Sequence, residues 1–290
     1  MSGTSATLRL TASPVNDTAA ELGESPLWDG DAGLRWVDAA GRRLFTLAPD
    51  GTESVIGLSE TVTAIEPGRS DVLLAVTQTG FGMLEPATGQ VTERVRVLHD
   101  ETVSMNDGAI DASGACWAGS AVRDGSLRGA LYRYDGTDVT TYLTKLGMSN
   151  GLDWSPDADV LYHVDTSAGT LTAWECGVES GTLGTGRLLC SIPTDIGLPD
   201  GLTVDADGDI WLAIWGRSEV WRIDAKTGHT TGIVHVPTRF PTSCVFGGDS
   251  LSTLYVTTAA HENAPGGGLL YAVEVPAKGR LPHRFTRDPG

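Results

Sequence analysis

The sequence predicts an all-β fold: a six-bladed β-propeller with a central metal site. Two observations carry the architecture, a repeat of near-constant length and turn chemistry that reads as strand rather than helix. A third, the oxygen-bearing residues that open several repeats, carries the metal site.

Each repeat starts on a small polar opening, enters an apolar strand and turns on Asp, Gly or Pro. It returns on a strand rich in aromatic and branched residues. The first unit, ESPLWDGDAGLRWVDAAGRRLFTLAPDG, opens at Glu24. The second, VTAIEPGRSDVLLAVTQTGFGMLEPATG, opens at Thr63. The third, MNDGAIDASGACWAGSAVRDGSLRGALYRYDG, opens at Asn106, and the fourth, SNGLDWSPDADVLYHVDTSAGTLTAW, at Asn150. The fifth, PDGLTVDADGDIWLAIWGRSEVWRIDAKTG, opens at Asp200. The sixth joins TSCVFGGDSLSTLYVTTA, from Ser243, to GGGLLYAVEV. Successive openings lie 39, 43, 44, 50 and 43 residues apart, the period of a four-stranded propeller blade. Residues 1–290 are therefore read as one propeller domain. The N-terminal LRLTAS is expected to pair with the last blade and close the ring, leaving no exposed edge.

Composition narrows the partners. The 290 residues carry 20 basic and 37 acidic side chains, a net charge of −17, without a lysine-rich block. Nucleic acid and anionic membrane surfaces reward clustered basic charge, so neither is expected. No apolar run approaches a bilayer span, and MSGTSATLRL lacks a charged region followed by an apolar core. A cytoplasmic protein is expected. Cys116, Cys176, Cys190 and Cys244 are scattered and read as small apolar side chains rather than zinc ligands or a disulfide framework. Few exposed edges favour a monomer acting on a small molecule.

The first strand of a propeller blade lines the central channel. Blade openings, and residues that follow each second strand, then share one face of the ring. Glu24, Asn106, Asn150 and Asp200 converge at the channel mouth in that arrangement. Two anionic and two amide side chains facing one space repel unless a divalent cation joins them. All-oxygen donors suit calcium first, with magnesium, manganese or zinc also open. The rim comprises Thr77-Gln78, Arg123-Asp124, Asp165-Thr166, Trp215 and His261-Glu262, with Trp215 placed to wall the pocket. VDADGDIW is a hairpin turn, because an EF-hand register would put Thr203 and Ile214 at its first and last ligand positions. No GxSxG elbow or cysteine nucleophile motif supports a covalent mechanism.

LGESPLWD, MNDGAIDASG, SNGLDWSPD, PDGLTVDADGDIWLA and TSCVFGG occur in this order across nearly the whole chain. In this the sequence resembles the SMP-30/gluconolactonase/regucalcin-like propellers. The resemblance implies one divalent ion held by Glu24, Asn150 and Asp200. It also implies that Asn106 faces substrate and that Asp200 accepts a proton. Family members typically open sugar lactones by metal polarisation of the carbonyl and attack by water. One departure concerns substrate. The family often has arginine two residues before the NDG asparagine, and here Ser104 stands there. Arg123 and Asp124, in the following loop, are the candidate replacements. The expected function is metal-dependent opening of a sugar lactone or a smaller ring. The alternatives are another ester, phosphotriester or biosynthetic intermediate at the same metal, or a calcium-binding propeller without turnover.

Overall fold

The protein, described here by a computed structural model, is defined over residues 7–177 and 181–287; Met1–Ala6 of the MSGTSATLRL stretch lie outside the described residues. The alternating pattern of each repeat forms a four-stranded antiparallel array. The first strands are Gly23–Trp28, Val62–Pro67, Val103–Ile110, Ser149–Trp154, Leu198–Val204 and Pro241–Gly247, in blades one to six. Each packs beside the first strand of the next blade, and the sixth packs on the first. The result is the six-bladed propeller expected from the repeat. Among the described residues the helical structure is one turn, Gly30–Ala32, and no helix is long and apolar enough to cross a membrane.

The LRLTAS stretch divides between two blades. Leu8–Thr11 lies parallel to Thr230–His235, the outer strand of blade five. Ser13–Pro14 runs antiparallel to Tyr271–Glu274 and supplies the fourth strand of blade six. Asn16 then accepts the Leu270 N–H at 2.7 Å, holding the chain as it leaves the sheet.

Buried tryptophans fill the spaces between blades, and the turns anchor two of them. In the Asp205-Ala206-Asp207-Gly208 hairpin, Asp205 Oδ1 accepts the backbone N–H groups of Asp207 (3.0 Å) and Asp209 (2.9 Å). Its Oδ2 accepts Trp211 Nε1 at 3.0 Å. Blade three repeats the device at Asp111, with Ser113, Ala115 and Trp117 as donors. A buried carboxylate saturated with donors stabilises its turn instead of straining it. Cys116 and Cys244 are buried as expected, whereas Cys176 and Cys190 are half-buried; all four are free thiols.

On the face away from the blade openings, the C-terminal segment crosses the end of the channel. Arg280 donates to Asp153 (3.2 Å) and to the Trp154 carbonyl (2.6 Å) in blade four. The Phe285 N–H then reaches Pro67 O of blade two at 2.8 Å. Arg287 Nε reaches Ser113 O of blade three at 2.9 Å.

Convergence of the first strands leaves little room between neighbours. A Cβ added at Gly151 would lie 2.5 Å from Asp200 O and 2.7 Å from Leu202 N, both backbone atoms. This contact explains the glycine of SNGLDW. Gly151→Ala is expected to destabilise the fold by about 2 kcal/mol or more through overpacking, measured as a lower midpoint in urea. An unchanged midpoint would show that blades four and five are not so closely apposed.

Candidate functional site

The blade openings are displaced from regular strand geometry. In blade three Met105 pairs with Ser120 and Gly108 with Ala118, so Asn106 and Asp107 together oppose one residue. Blade four shows the same slip across Asn150-Gly151, and blade five across Asp200-Gly201. Blade one slips between Glu24 and Leu27, blade two at Thr63 and blade six at Thr242. A bulge bends its strand and re-aims the side chains at the extra residue. The propeller thus carries a ring of bulges at the openings.

One cavity of about 450 Å³ receives Glu24, Asn106, Asp107 and Asn150, together with Thr63, Gln78, Ser104 and Arg123. Asp200 joins the group through Asn150, whose Nδ2 donates to Asp200 Oδ1 at 2.5 Å. Asn150 is 6% exposed and Asp200 is 7% exposed. Burial, followed by the charges of Asp200 and Asp107, pushes the Glu24 carboxyl well above its ordinary 4.5. Burial and then Asp107 do the same to Asp200, against hydrogen bonds from Asn150 and the Gly201 backbone.

Asp107 was not singled out by the sequence. Burial raises it to about 6, and it lines both this cavity and a smaller one of about 110 Å³ within the channel. Glu66, Asp153 and Arg280 border that inner space. In MNDG the two bulge positions, Asn106 and Asp107, both carry polar side chains, where SNG and PDG place glycine at the second.

The remaining candidates separate by position. Ser104 lines the cavity and donates to the Met105 carbonyl at 2.8 Å. Arg123 is the one cation among the described residues lining the cavity. Asp124 is exposed and ion-paired with Arg128 at 2.7 Å; it does not line the cavity. Trp215 packs on Phe240 (4.7 Å between ring centroids) and His261 (5.4 Å), also outside the lining. His261 and Glu262 are exposed, Glu262 pairing with Arg239 at 2.6 Å. His163, 3% exposed, lies 2.7 Å through Nε2 from Ser149 Oγ, and burial lowers it to about 4. It is a neutral element of the blade wall.

Among the described residues no three His, Cys, Asp or Glu side chains form a metal-holding group. The candidate set is instead two carboxylates and an amide oxygen. Asn150 gives its amide hydrogens to Thr166 Oγ1 (3.0 Å) and Asp200 Oδ1. An amide nitrogen has only two hydrogens, so Oδ1 is the remaining polar end, and no donor reaches it among the described residues. Mutually repelling Glu24 and Asp200 beside a free amide oxygen fit a hard divalent cation.

Comparison with known proteins identifies the family. Residues 22–260 match the family model described as the SMP-30/Gluconolactonase/LRE-like region. Pentonolactonase XacC of Haloferax volcanii is 33% identical over 287 residues, covering 93% of this chain and 97% of its own. Regucalcin of Danio rerio is 30% identical over 281 residues, covering 92% and 95%. The solved structure of a calcium-binding protein, regucalcin, from Agrobacterium tumefaciens matches with a TM-score of 0.90 at 26% identity, covering 96% of this chain and 98% of that one. With all six blade openings inside the matched region, the chain belongs to the SMP-30/gluconolactonase/LRE-like family.

Proposed function

We propose that the protein is a divalent-cation-dependent hydrolase that opens a lactone ring, with Glu24, Asn150 and Asp200 holding the cation. The observation that carries this proposal is Glu24 and the unpartnered amide oxygen of Asn150 in one cavity, with Asp200 hydrogen-bonded to Asn150 and repelling Glu24. The relative named pentonolactonase supports the reaction class, and the calcium-binding neighbour supports calcium as the first cation to test. A bound cation supplies Lewis-acid polarisation of the ester carbonyl.

The side chains define how substrate is held around that centre. Asn106 gives one amide hydrogen to Ser149 O at 2.9 Å, leaving the other for a substrate oxygen. Ser104 has committed its hydroxyl hydrogen to Met105 O, so toward substrate it acts as an acceptor. Arg123 supplies the charged donor on the same wall and grips ring oxygens or the carboxylate formed on opening. Asp200 takes the proton of the attacking water. Asp124 and Trp215 belong to the outer rim in this assignment, beyond the reacting centre.

Cation-stripped protein assayed by acid release on gluconolactone, pentonolactones and unsubstituted lactones is expected to be silent until calcium, magnesium, manganese or zinc is restored. Asp200→Ala should lower turnover by about a thousandfold or more while circular dichroism stays unchanged. Wild-type protein that binds a cation yet opens no lactone would favour the alternative ester substrates or a non-catalytic role.

Arg123→Ala is expected to raise KM about tenfold or more with little change in kcat, as for loss of a charge-assisted hydrogen bond. An unaltered KM across the panel would remove Arg123 from the substrate site.

The raised carboxyls also set a pH dependence in cation-free protein. The folded state binds protons more tightly than the unfolded chain, so this stabilisation is complete below the ordinary 3.8 of Asp200. It is lost as pH rises through the elevated folded value. At pH 7 in chelator, Asp200→Asn should therefore melt about 2–4 °C above wild type, equivalent to roughly 1 kcal/mol. The gap should close toward pH 4. A variant that melts below wild type at pH 7 would argue against charge repulsion in the site.

A further inference from the structure

We infer that Thr166 is a positioning residue for Asn150, fixing which end of the amide faces the cation. The inference rests on the cation site proposed above. A carboxamide is nearly symmetric in shape, but turning it over replaces an oxygen by an NH₂ group. An NH₂ aimed at a cation repels it and contributes no ligand.

Thr166 enforces the productive orientation through the direction of its own hydrogen bond. Its Oγ1 donates to the Pro199 carbonyl at 2.7 Å, which uses the hydroxyl's single hydrogen. Toward Asn150 the hydroxyl can then only accept. Nδ2 stands 3.0 Å away and supplies the hydrogen. With Nδ2 also donating to Asp200, the amide oxygen is the end left for the cavity. The Thr166 hydroxyl cannot reverse its role, since the partner of its one hydrogen is a backbone carbonyl.

The surroundings hold the hydroxyl in place. Thr166 is 6% exposed, follows the second strand of blade four, and donates its backbone N–H to Met148 O at 2.9 Å. Pro199 immediately precedes Asp200 in blade five, so the same hydroxyl spans two of the three ligand-bearing blades. Removing it leaves one Asn150 hydrogen without an acceptor and makes the flipped amide competitive.

The test is calorimetric titration of calcium into chelator-stripped protein, with thermal melting recorded in chelator. Thr166→Val keeps the shape of threonine without its acceptor. It is expected to weaken calcium binding about 10–100-fold, and Thr166→Ser to restore it to within about threefold. Asn150→Asp supplies a ligand with no wrong end, so Thr166→Val should cost little or no affinity in that background. Wild-type affinity in Thr166→Val, or an equal loss in both backgrounds, would overturn the inference; a melting change alone would reduce Thr166 to an inter-blade tie. If Thr166→Val does not fold, Thr166→Ala is carried through the same cycle. Failure of wild-type protein to bind calcium, magnesium, manganese or zinc would instead remove the cation site, and the inference with it.

Discussion

Six strands tilt toward one axis, and at the openings of blades four and five the gap between neighbouring backbones is smaller than a methyl group. Only hydrogen fits at Gly151, where a Cβ would strike Asp200 O, and at Gly201, where it would meet Ser243. Much of the site follows from this crowding. Glycine frees the backbone for a bulge, and the bulge turns the preceding Asn or Asp away from the blade wall. The Asn-Gly and Asp-Gly pairs are therefore single devices: one member permits close approach and the other uses it to reach the channel.

Buried carboxylates divide into two populations. Asp38 accepts from the Glu21, Leu22 and Gly41 backbones and from Arg43, and Asp205 accepts from two backbone donors and a tryptophan. At Asp38 burial works to raise the carboxyl, but the Leu22, Gly41 and Glu21 N–H groups and Arg43 outweigh it and hold it below its ordinary 3.8. Glu24 and Asp200 have fewer donors and a facing charge, so burial drives their proton affinity upward. The contrast separates carboxylates that complete a turn from carboxylates that, in the function proposed above, hold a cation. In that proposal the arrangement opposes folding locally until a cation binds, as functional sites commonly do.

The blade count and the identities of the opening residues were legible because period and turn chemistry are local properties of the sequence. Glu24, Asn106 and Asn150 reach the cavity for that reason. The bulges were less legible: hydropathy records which residues are apolar, but a one-residue slip leaves that pattern intact. Asp107 was overlooked in consequence, since strict alternation turns it away from Asn106 whereas a bulge exposes both. Arg123 lines the cavity while its neighbour Asp124 is occupied by Arg128, a distinction set by loop geometry rather than residue type. The paths of the two chain ends were similarly hidden. LRLTAS reads as one strand, yet Leu8–Thr11 and Ser13–Pro14 pair in different blades.

That division has a temporal consequence. Leu8 is among the first described residues to leave the ribosome, and its partner Gly232 is made more than two hundred residues later. Ser13 waits longer still, for Ala272. Blades one to four can pair their own strands as they emerge, whereas the last two acquire their full complement only when the chain's beginning and end meet. Ring closure is thus a late, non-local event, the kind that slows folding. An interrupted chain displays open sheet edges at the unfinished blades, marking incomplete synthesis before the central cavity is assembled.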